Sequence, residues 1–484
     1  MTRRLSRRGL LTLGPFVAGI VVAGPAAVLA HSLSNTYQSR LPLVVYLAGA
    51  AIAVGLSFAF LLIADVRAEP PLITAGRVPP APLRIVLRAI GLTGWVWIVA
   101  QGIAGGSGTG DVSTLFLWVY GWVGLAMLSA FVGPVWHWLD PFATLYDLGA
   151  AVARRLGLGG WAAAEYPRRL GRWPAVIVLL FFIWLELVGN GAGQRSLFIA
   201  LVGYTAFTLA MMAQFGRDAW RASGETFSVW FGLFGRLAPT ALVGDPAEGR
   251  VARRPFASGL LLPGWQIEDL VMVAAGTASI LFDGLSQTQP WSEVFGAPGV
   301  PIKTLQLAGF IGVVVLAAYL VSRLVGLPAT AAGLLPIAAG YLVAHYFTYL
   351  LIDGQRIVVA LADPLQQGWD IGNFGWAFFE PSSGFLPPGF VWTIQLGAVV
   401  GGHMLGAWAG HVVSARESGA VRGERSHRRR EVPLALIMVA LTTLTLWSLG
   451  QALVVQAPAA ATSASAGAVS GRVESPVAAA VERT

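Results

Sequence analysis

The sequence predicts an all-α fold, a polytopic bundle of membrane-spanning helices, and three observations lead to that prediction. Of the 484 residues, 56% are hydrophobic and only 12% are charged, whereas about a quarter of the residues in soluble globular chains are charged. Apolar segments about as long as a membrane-spanning helix recur along the chain. The basic residues are concentrated in the short segments between them. This composition excludes an ordinary soluble enzyme and a disordered chain.

The first 30 residues are predicted to be an export signal. Four arginines within residues 1–8 precede an apolar stretch at 10–22, and small residues before Ala30 provide a possible cleavage site. The run Ser6-Arg7-Arg8-Gly9-Leu10-Leu11 is similar to a twin-arginine signal. A cleaved signal peptide and an uncleaved signal-anchor helix both fit this segment.

Ten further apolar segments follow, each about long enough to cross ~30 Å of hydrocarbon. The predicted spans are 42–64, 86–104, 113–133, 173–190, 197–216, 267–284, 303–323, 331–352, 389–413 and 433–455. They form one predicted transmembrane domain over residues 31–455. Residues 456–484 are rich in Ala, Ser and Val and are predicted to be a disordered tail.

The distribution of basic residues predicts the orientation in the plasma membrane. With the N-terminus of the precursor in the cytoplasm and the tail outside, the cytoplasmic segments contain 26 basic residues and the outer ones 6. The net charge of +8 is then explained by loops that face anionic lipid. The predicted partner is therefore the bilayer, and no nucleic acid is expected.

Two loops between the spans have distinctive sequences. Residues 227–234 are apolar but too short to cross the membrane, so they are predicted to lie in the interface or to re-enter, anchored by Trp230. Residues 353–388 form the longest predicted outer loop. His137 lies between two tryptophans and is predicted to be part of an aromatic belt without a chemical role.

Several kinds of chemistry are excluded by the sequence. The chain has no cysteine, which excludes disulfides, thiolate metal sites and cysteine nucleophiles. It contains no Walker A motif, GxSxG elbow or HExxH motif. Any active site must therefore use His, Asp, Glu or other polar residues gathered by the fold.

Ionisable residues inside the predicted helices are the candidate functional residues, because such residues are costly in lipid. Glu186 and Asp283 lie near the outer ends of their helices, His345 lies in the outer half of its helix, and Asp353 lies at the outer boundary. The alternative for Glu186 is an interfacial acid paired with Arg195. The alternative for Asp283 is a helix-end residue before the turn at Gly284.

The predicted topology places these acids and His345 on one side of the membrane. If the signal is cleaved after Ala30, His31 becomes the N-terminus on that same side. His31, Glu186, Asp283 and His345 then predict an outward-facing site for a divalent transition metal, Zn or Cu, or for a small ligand. The first functional hypothesis is therefore metal handling or transport.

Two more histidines lie in the predicted span 389–413. His403 is in the middle of the helix and His411 is two turns nearer the cytoplasm, so the two share one side about 12 Å apart. For each, the alternative to a functional role is an interhelical hydrogen bond to Ser, Tyr or a backbone carbonyl. Gly401, Gly402 and Gly406 would let another helix approach closely. A haem between His345 and His403 is disfavoured, because their estimated depths differ by about 10 Å.

From about His31 to Ser414, the chain resembles a family of actinobacterial multi-pass membrane proteins labelled fenitrothion hydrolase. The matching blocks are His31-Ser-Leu33, Trp118-Val-Tyr-Gly-Trp-Val-Gly-Leu125, Leu170-Gly-Arg-Trp-Pro174, Trp184-Leu-Glu186, Phe227-Ser-Val-Trp-Phe-Gly-Leu-Phe234, Phe282-Asp-Gly-Leu-Ser286, Ala344-His-Tyr-Phe347, Asp363-Pro364, Gly368-Trp369, and Gly402-His403 with His411. One block departs from the family, since Asp140-Pro-Phe-Ala143 replaces a run like Asn-Pro-Trp-Arg.

The resemblance implies a second hypothesis, hydrolysis of an organophosphate triester. A metal-bound water would be the nucleophile, with the four predicted metal ligands holding the ion and Asp353 as the catalytic base. A third hypothesis is a non-catalytic membrane scaffold whose polar groups only join helices. The sequence leaves the oligomeric state open.

Overall fold

The computed structural model describes residues 48, 49, 52, 55, 75–106, 110–158, 164–189, 193–418 and 425–451. The predicted signal, His31, the predicted tail and all but four residues of the predicted span 42–64 lie outside these ranges. Within them the structure is almost entirely helical, which confirms the all-α prediction.

The helices and strands are α1 (Ala81–Ala104), α2 (Val112–Thr114), a π-helix (Leu115–Leu125), α3 (Ala126–Phe131), α4 (Trp136–Leu139), α5 (Pro141–Arg155), α6 (Trp173–Leu187), α7 (Gln194–Phe215), α8 (Arg217–Ser223), α9 (Thr226–Phe234), β1 (Thr240–Leu242), β2 (Val251–Arg253), α10 (Ile267–Ser286), α11 (Gln289–Phe295), α12 (Val300–Val325), α13 (Leu327–Asp353), α14 (Ile357–Ala362), α15 (Pro388–Ser418) and α16 (Arg425–Leu449).

Nine stretches of helix in the described part of the chain are long and apolar enough to cross a membrane. They coincide with nine of the ten predicted spans, and the tenth, 42–64, falls outside the description. The protein is therefore a multi-pass membrane protein. We call the side predicted to be cytoplasmic the inner face and the opposite side the outer face.

Helix α13 lies at the centre of the bundle, with most of its side chains buried. It packs against α15 through glycines. A Cβ at Gly402 would lie 2.5 Å from the carbonyl oxygen of Pro336, and one at Gly406 would lie 2.3 Å from that of Gly333. The close approach predicted at Gly402 and Gly406 is confirmed. Gly401 has no such neighbour among the described residues, since nothing lies within 4 Å of its Cβ position.

The segment 227–234 forms α9, which packs inside the bundle. The predicted role of Trp230 as an interfacial anchor is wrong, because Trp230 is fully buried and stacks on Trp122 with ring centroids 5.3 Å apart. The apolar residues of α9 face other helices on nearly every side. A short antiparallel hairpin follows, in which Thr240 pairs with Arg253 and Leu242 with Val251.

The predicted outer loop 353–388 is partly helical. A short 3-10 turn at Gly354–Arg356 joins α13 to helix α14, and a further 3-10 turn spans Trp376–Phe378. The sequence did not predict these helical turns, because glycines, prolines and aromatics are mixed along the segment.

Candidate functional site

Helix ends meet at the outer face and place ionisable side chains together. Helices α6, α10 and α13 supply Glu186, Asp283 and His345, and α12 begins beside them with Lys303. We define the outer polar cluster by its titratable residues and their immediate polar neighbours. Its members are Glu186, Asp283, Gln287, Lys303, His345, Tyr346, Tyr349 and Asp353.

Asp283 is at the centre of the outer polar cluster and is held by three side chains. Its Oδ2 is 2.9 Å from Nε2 of His345 and accepts a hydrogen bond of 3.0 Å from the hydroxyl of Tyr346. Its Oδ1 accepts a hydrogen bond of 2.8 Å from the amide of Gln287, one turn further along. The turn predicted at Gly284 is wrong, because α10 continues to Ser286, and the carboxylate of Asp283 also joins α10 to α13.

His345 has one ring nitrogen engaged and one available. Nε2 faces Asp283, whereas Nδ1 makes no hydrogen bond with any residue in the described ranges. The ring lies beside Gly284, where a Cβ would be 3.5 Å from Cε1. A carboxylate on one nitrogen of an imidazole fixes the ring and leaves the other nitrogen to bind a ligand.

Glu186 makes no hydrogen bond or ion pair with any described residue. The predicted alternative, an ion pair with Arg195, is absent although both residues are described. Glu186 is half-buried and lies close enough to Asp283 for two negative charges to repel each other. Because an isolated charge inside a membrane protein is costly, this carboxylate needs a proton, a cation or water to stabilise it.

Asp353 lies at the edge of the outer polar cluster. One carboxylate oxygen is 3.2 Å from Nε of Arg356, one turn along the chain, and the charge also acts on Tyr349. The catalytic role predicted for Asp353 stays a prediction.

The metal site is only partly assembled by the described residues. Glu186, Asp283 and His345 come to one place, as the topology predicted, but His31 lies outside the described ranges. Within those ranges no group of three or more His, Asp or Glu side chains is arranged to hold a metal ion. The four-ligand metal site therefore stays a prediction.

His403 and His411 both contact α16. His403 is buried, and its Nδ1 lies 2.8 Å from the hydroxyl of Thr442, which also bonds Tyr341 at 3.3 Å. His411 has its Nδ1 2.8 Å from the carboxylate of Glu431. Interhelical hydrogen bonds were the predicted alternative for both, although the partners are a threonine and an acid.

Sequence reasoning missed a second group of buried charges, at the inner face. We define the inner ion network as Asp140, Tyr204, Arg221 and Glu225. Asp140 caps α5 by accepting hydrogen bonds from the backbone N–H groups of Phe142 and Ala143, and its Oδ2 lies 2.9 Å from Nε of Arg221.

Glu225 plays the corresponding role for α9. It accepts backbone hydrogen bonds from Phe227 and Ser228, and the hydroxyl of Tyr204 donates to it at 2.6 Å. Asp140 and Glu225 are both at most 1% exposed. An acidic residue before a helical run is an N-cap signal, so the helix starts could have been found, but their burial could not.

The inner face is electrostatically positive around this network. Burial, reinforced by the charges of Arg221 and Arg217, lowers the pKa of His137 to about 4. Burial raises the pKa of Asp140 to about 6, against the opposing effect of Arg221 and the two backbone N–H groups. His137 therefore stays neutral at physiological pH.

No family model matches the chain, and no curated protein or solved structure matches it either. The conclusions about this site therefore rest on its own geometry, and the likeness to the hydrolase family stays a prediction.

Proposed function

We propose that this multi-pass membrane protein binds a cation in the outer polar cluster, with a divalent transition metal as the first candidate. The observation that supports the proposal is the pair of unengaged groups there. Glu186 and Nδ1 of His345 have no partner among the described residues, while the neighbouring Asp283 is held by three side chains.

The chemistry of these groups suits a metal ion. A carboxylate and an imidazole together are ligands for Zn or Cu. Asp283 orients the imidazole from the far nitrogen, which is the usual outer-shell partner of a metal-binding histidine. We propose His31 as a further ligand, supplied by the chain that precedes the described ranges. Opening to the outer face would allow uptake or handling of an ion from outside.

Metal analysis of the purified protein tests the proposal. Full-length protein in detergent is incubated with Zn²⁺ or Cu²⁺, desalted, and analysed by mass spectrometry for bound metal. Near-stoichiometric metal is expected in the wild type. Because a lost ligand or outer-shell partner weakens metal binding about tenfold or more, Glu186→Gln and His345→Ala should retain much less.

Glu293→Gln is the matched control, because it makes the same change in an exposed carboxylate whose hydrogen-bond partner, Gln289, is not a member of the cluster. Its metal content should equal that of the wild type. Wild-type protein that binds neither ion on titration would refute the metal site. Equal loss in all three variants would show that the metal is held elsewhere.

The phosphotriester hydrolase is a second proposal, supported by the position of Asp353 at the edge of the same cluster. Metal-loaded wild type should then release a nitrophenol from a neutral phosphotriester. Asp353→Asn should lose this turnover but keep its metal, because the residue would act as a base. No turnover by the metal-loaded wild type would reject the enzyme and leave binding or transport.

A further inference from the structure

Two adjoining cavities of opposite character meet near the inner face of the bundle. The first, which we call the apolar groove, has a volume of about 990 Å³ and runs between α1 and the π-helix. Its walls include Ile90, Trp97, Phe116, Tyr120, Leu128 and Leu350. Along α1 it extends from Val86 to Ile98, about 18 Å of helix. The groove begins near the inner end of α1 and reaches toward the outer face, because Phe116 and Leu350 lie near the outer ends of the predicted spans 113–133 and 331–352.

The polar atoms of the aromatic residues around the apolar groove are engaged with protein groups. Nε1 of Trp97 donates to the carbonyl of Pro364 at 2.7 Å, Nε1 of Trp95 donates to Thr205 at 3.0 Å, and the hydroxyl of Tyr120 donates to the carbonyl of Gly354 at 2.5 Å. The groove thus offers hydrocarbon and aromatic surface to its occupant. A long π-helix forms one wall, and π-helical segments occur frequently at functional sites.

The second cavity, which we call the arginine cavity, has a volume of about 320 Å³, and most of its lining residues belong to segments between the membrane-spanning helices. Arg221, Arg236 and Arg254 line it together with His137. The one acid in its wall, Asp218, is already paired with Arg217 at 2.9 Å. Arg221 is paired with the buried Asp140, so the excess of positive charge in the cavity comes from Arg236 and Arg254.

The arginines are fixed in place by contacts to the protein. Arg254 donates to the carbonyls of Ala238 and Gly235 at 2.9 and 2.5 Å, and the guanidinium of Arg236 stacks on Trp265 at 3.9 Å from the ring centroid. Ser228 adds a buried hydroxyl without a hydrogen-bond partner among the described residues. Preorganised donors of this kind suit a phosphate group.

Trp136 and Phe231 belong to the walls of both cavities, so the arginine cavity begins where the apolar groove ends. Their rings contact each other edge-on, with centroids 5.3 Å apart. An occupant that used both spaces would have a hydrocarbon part in the membrane and an anionic head at the inner face.

We propose that the two cavities together bind one acidic phospholipid of the inner leaflet. Its acyl chains lie in the apolar groove along α1, and its phosphate lies among Arg221, Arg236 and Arg254. The leaflet agrees with the predicted topology, which places the arginine-rich face in the cytoplasm. This site is at the opposite face from the outer polar cluster and does not depend on the cation proposal.

Native mass spectrometry of the delipidated full-length protein in detergent tests the lipid site. The protein is titrated with phosphatidylglycerol, phosphatidylcholine or inorganic phosphate, and the bound fraction is measured. The wild type should bind one phosphatidylglycerol about tenfold more tightly than phosphatidylcholine, since only the former keeps a net negative head.

Each cavity has a variant and a matched control. Ser228→Asp adds a negative charge to the arginine cavity and should weaken phosphatidylglycerol binding about tenfold, whereas the neutral Ser228→Asn should not. Gly94→Leu fills the apolar groove, because a Cβ there meets only the Phe116 ring at 3.9 Å. Gly309→Leu, in open space on α12, is its control and should bind like the wild type.

The outcomes separate the possible ligands. Loss of phosphatidylglycerol in both Ser228→Asp and Gly94→Leu, with both controls retained, supports the proposal. Equal binding of the two lipids overturns it. Inorganic phosphate that binds the wild type and Gly94→Leu equally, while phosphatidylglycerol does not bind, also overturns it by showing a soluble phosphate site.

Discussion

The inner ion network and the outer polar cluster contain the same kinds of residue, yet they differ in how far those residues are partnered. At the inner face, Asp140 is ion-paired and caps a helix, and Glu225 accepts bonds from Tyr204 and two backbone N–H groups. At the outer face, Glu186 has no partner in the described ranges. Satisfied buried charges hold a structure together, whereas an unsatisfied one is available to a ligand.

The difference predicts opposite consequences of substitution in the two regions. Loss of one charge from the inner ion network leaves another buried and unpaired, which is strongly destabilising. Loss of an unpartnered charge from the outer polar cluster breaks no hydrogen bond or ion pair with a described residue. Stability should therefore respond to the first change and ligand binding to the second.

The largest effect is expected for Arg221→Met. The substitution leaves Asp140 buried without its cation and beside the charge of Glu225, and removing one partner of a buried ion pair costs about 3–5 kcal/mol. The free energy of unfolding, measured by denaturant titration in detergent, checks this value.

Arg250→Met is the control for this substitution. Its ion pair with Glu248 is about half exposed on both sides, so the loss should stay below about 1 kcal/mol. Equal losses in the two variants would contradict the contrast between buried and exposed pairs.

An intermediate effect on the unfolding free energy is expected from substitution of His137, whose pKa is lowered to about 4 by burial and nearby arginines. An unfolded histidine titrates near 6.5, so between these two values the unfolded chain binds more protons and stability rises with pH. In His137→Gln this contribution is absent. The gain in unfolding free energy from about pH 4.5 to about pH 7 should shrink by about 2 kcal/mol.

The same pH pair measured on Gly309→Leu separates His137 from a general effect of substitution, because this change in open space on α12 removes no titratable group and should leave the pH dependence unchanged. An unchanged pH dependence in His137→Gln would show that His137 is not kept neutral in the native state.

The smallest effect on stability is expected for Glu186→Gln, in the absence of metal. Because the carboxylate has no described partner to lose, the unfolding free energy should stay within about 0.5 kcal/mol of the wild type or increase. Thermal unfolding in detergent measures it. A large loss would place Glu186 in a structural network and favour the scaffold hypothesis.

Much of the fold could be predicted, because each helix that crosses the lipid requires a continuous apolar segment of sufficient length. Every predicted span that falls in the described ranges has a counterpart among the nine apolar helices. The meeting of Glu186, Asp283 and His345 also followed from topology, since helix ends on one side of a bundle share one layer. The pairing of Asp283 with His345 did not, because helix rotation and neighbour order are not encoded in hydropathy.

The inner ion network could not be predicted from the apolar spans of the sequence. Asp140 and Glu225 lie in segments that appear as loops, where charged residues are expected in water. Their burial results from α9, which is inserted among the other helices and brings Arg221 against Asp140. Hydrophobicity showed that residues 227–234 were too short to span, but it could not distinguish an interfacial helix from an internal one.

By itself, the amino-acid sequence determined that this protein is an all-α membrane bundle and which residues are costly to bury, because both follow from composition and segment length. Only the tertiary structure decided which of those residues have partners. In the folded protein, hydrogen bonds or ion pairs are made by Asp140, Glu225, His403 and Asp283. Glu186 and Nδ1 of His345 have no described partner. The physical reason is that hydrogen bonds and ion pairs depend on distances of about 3 Å between different helices.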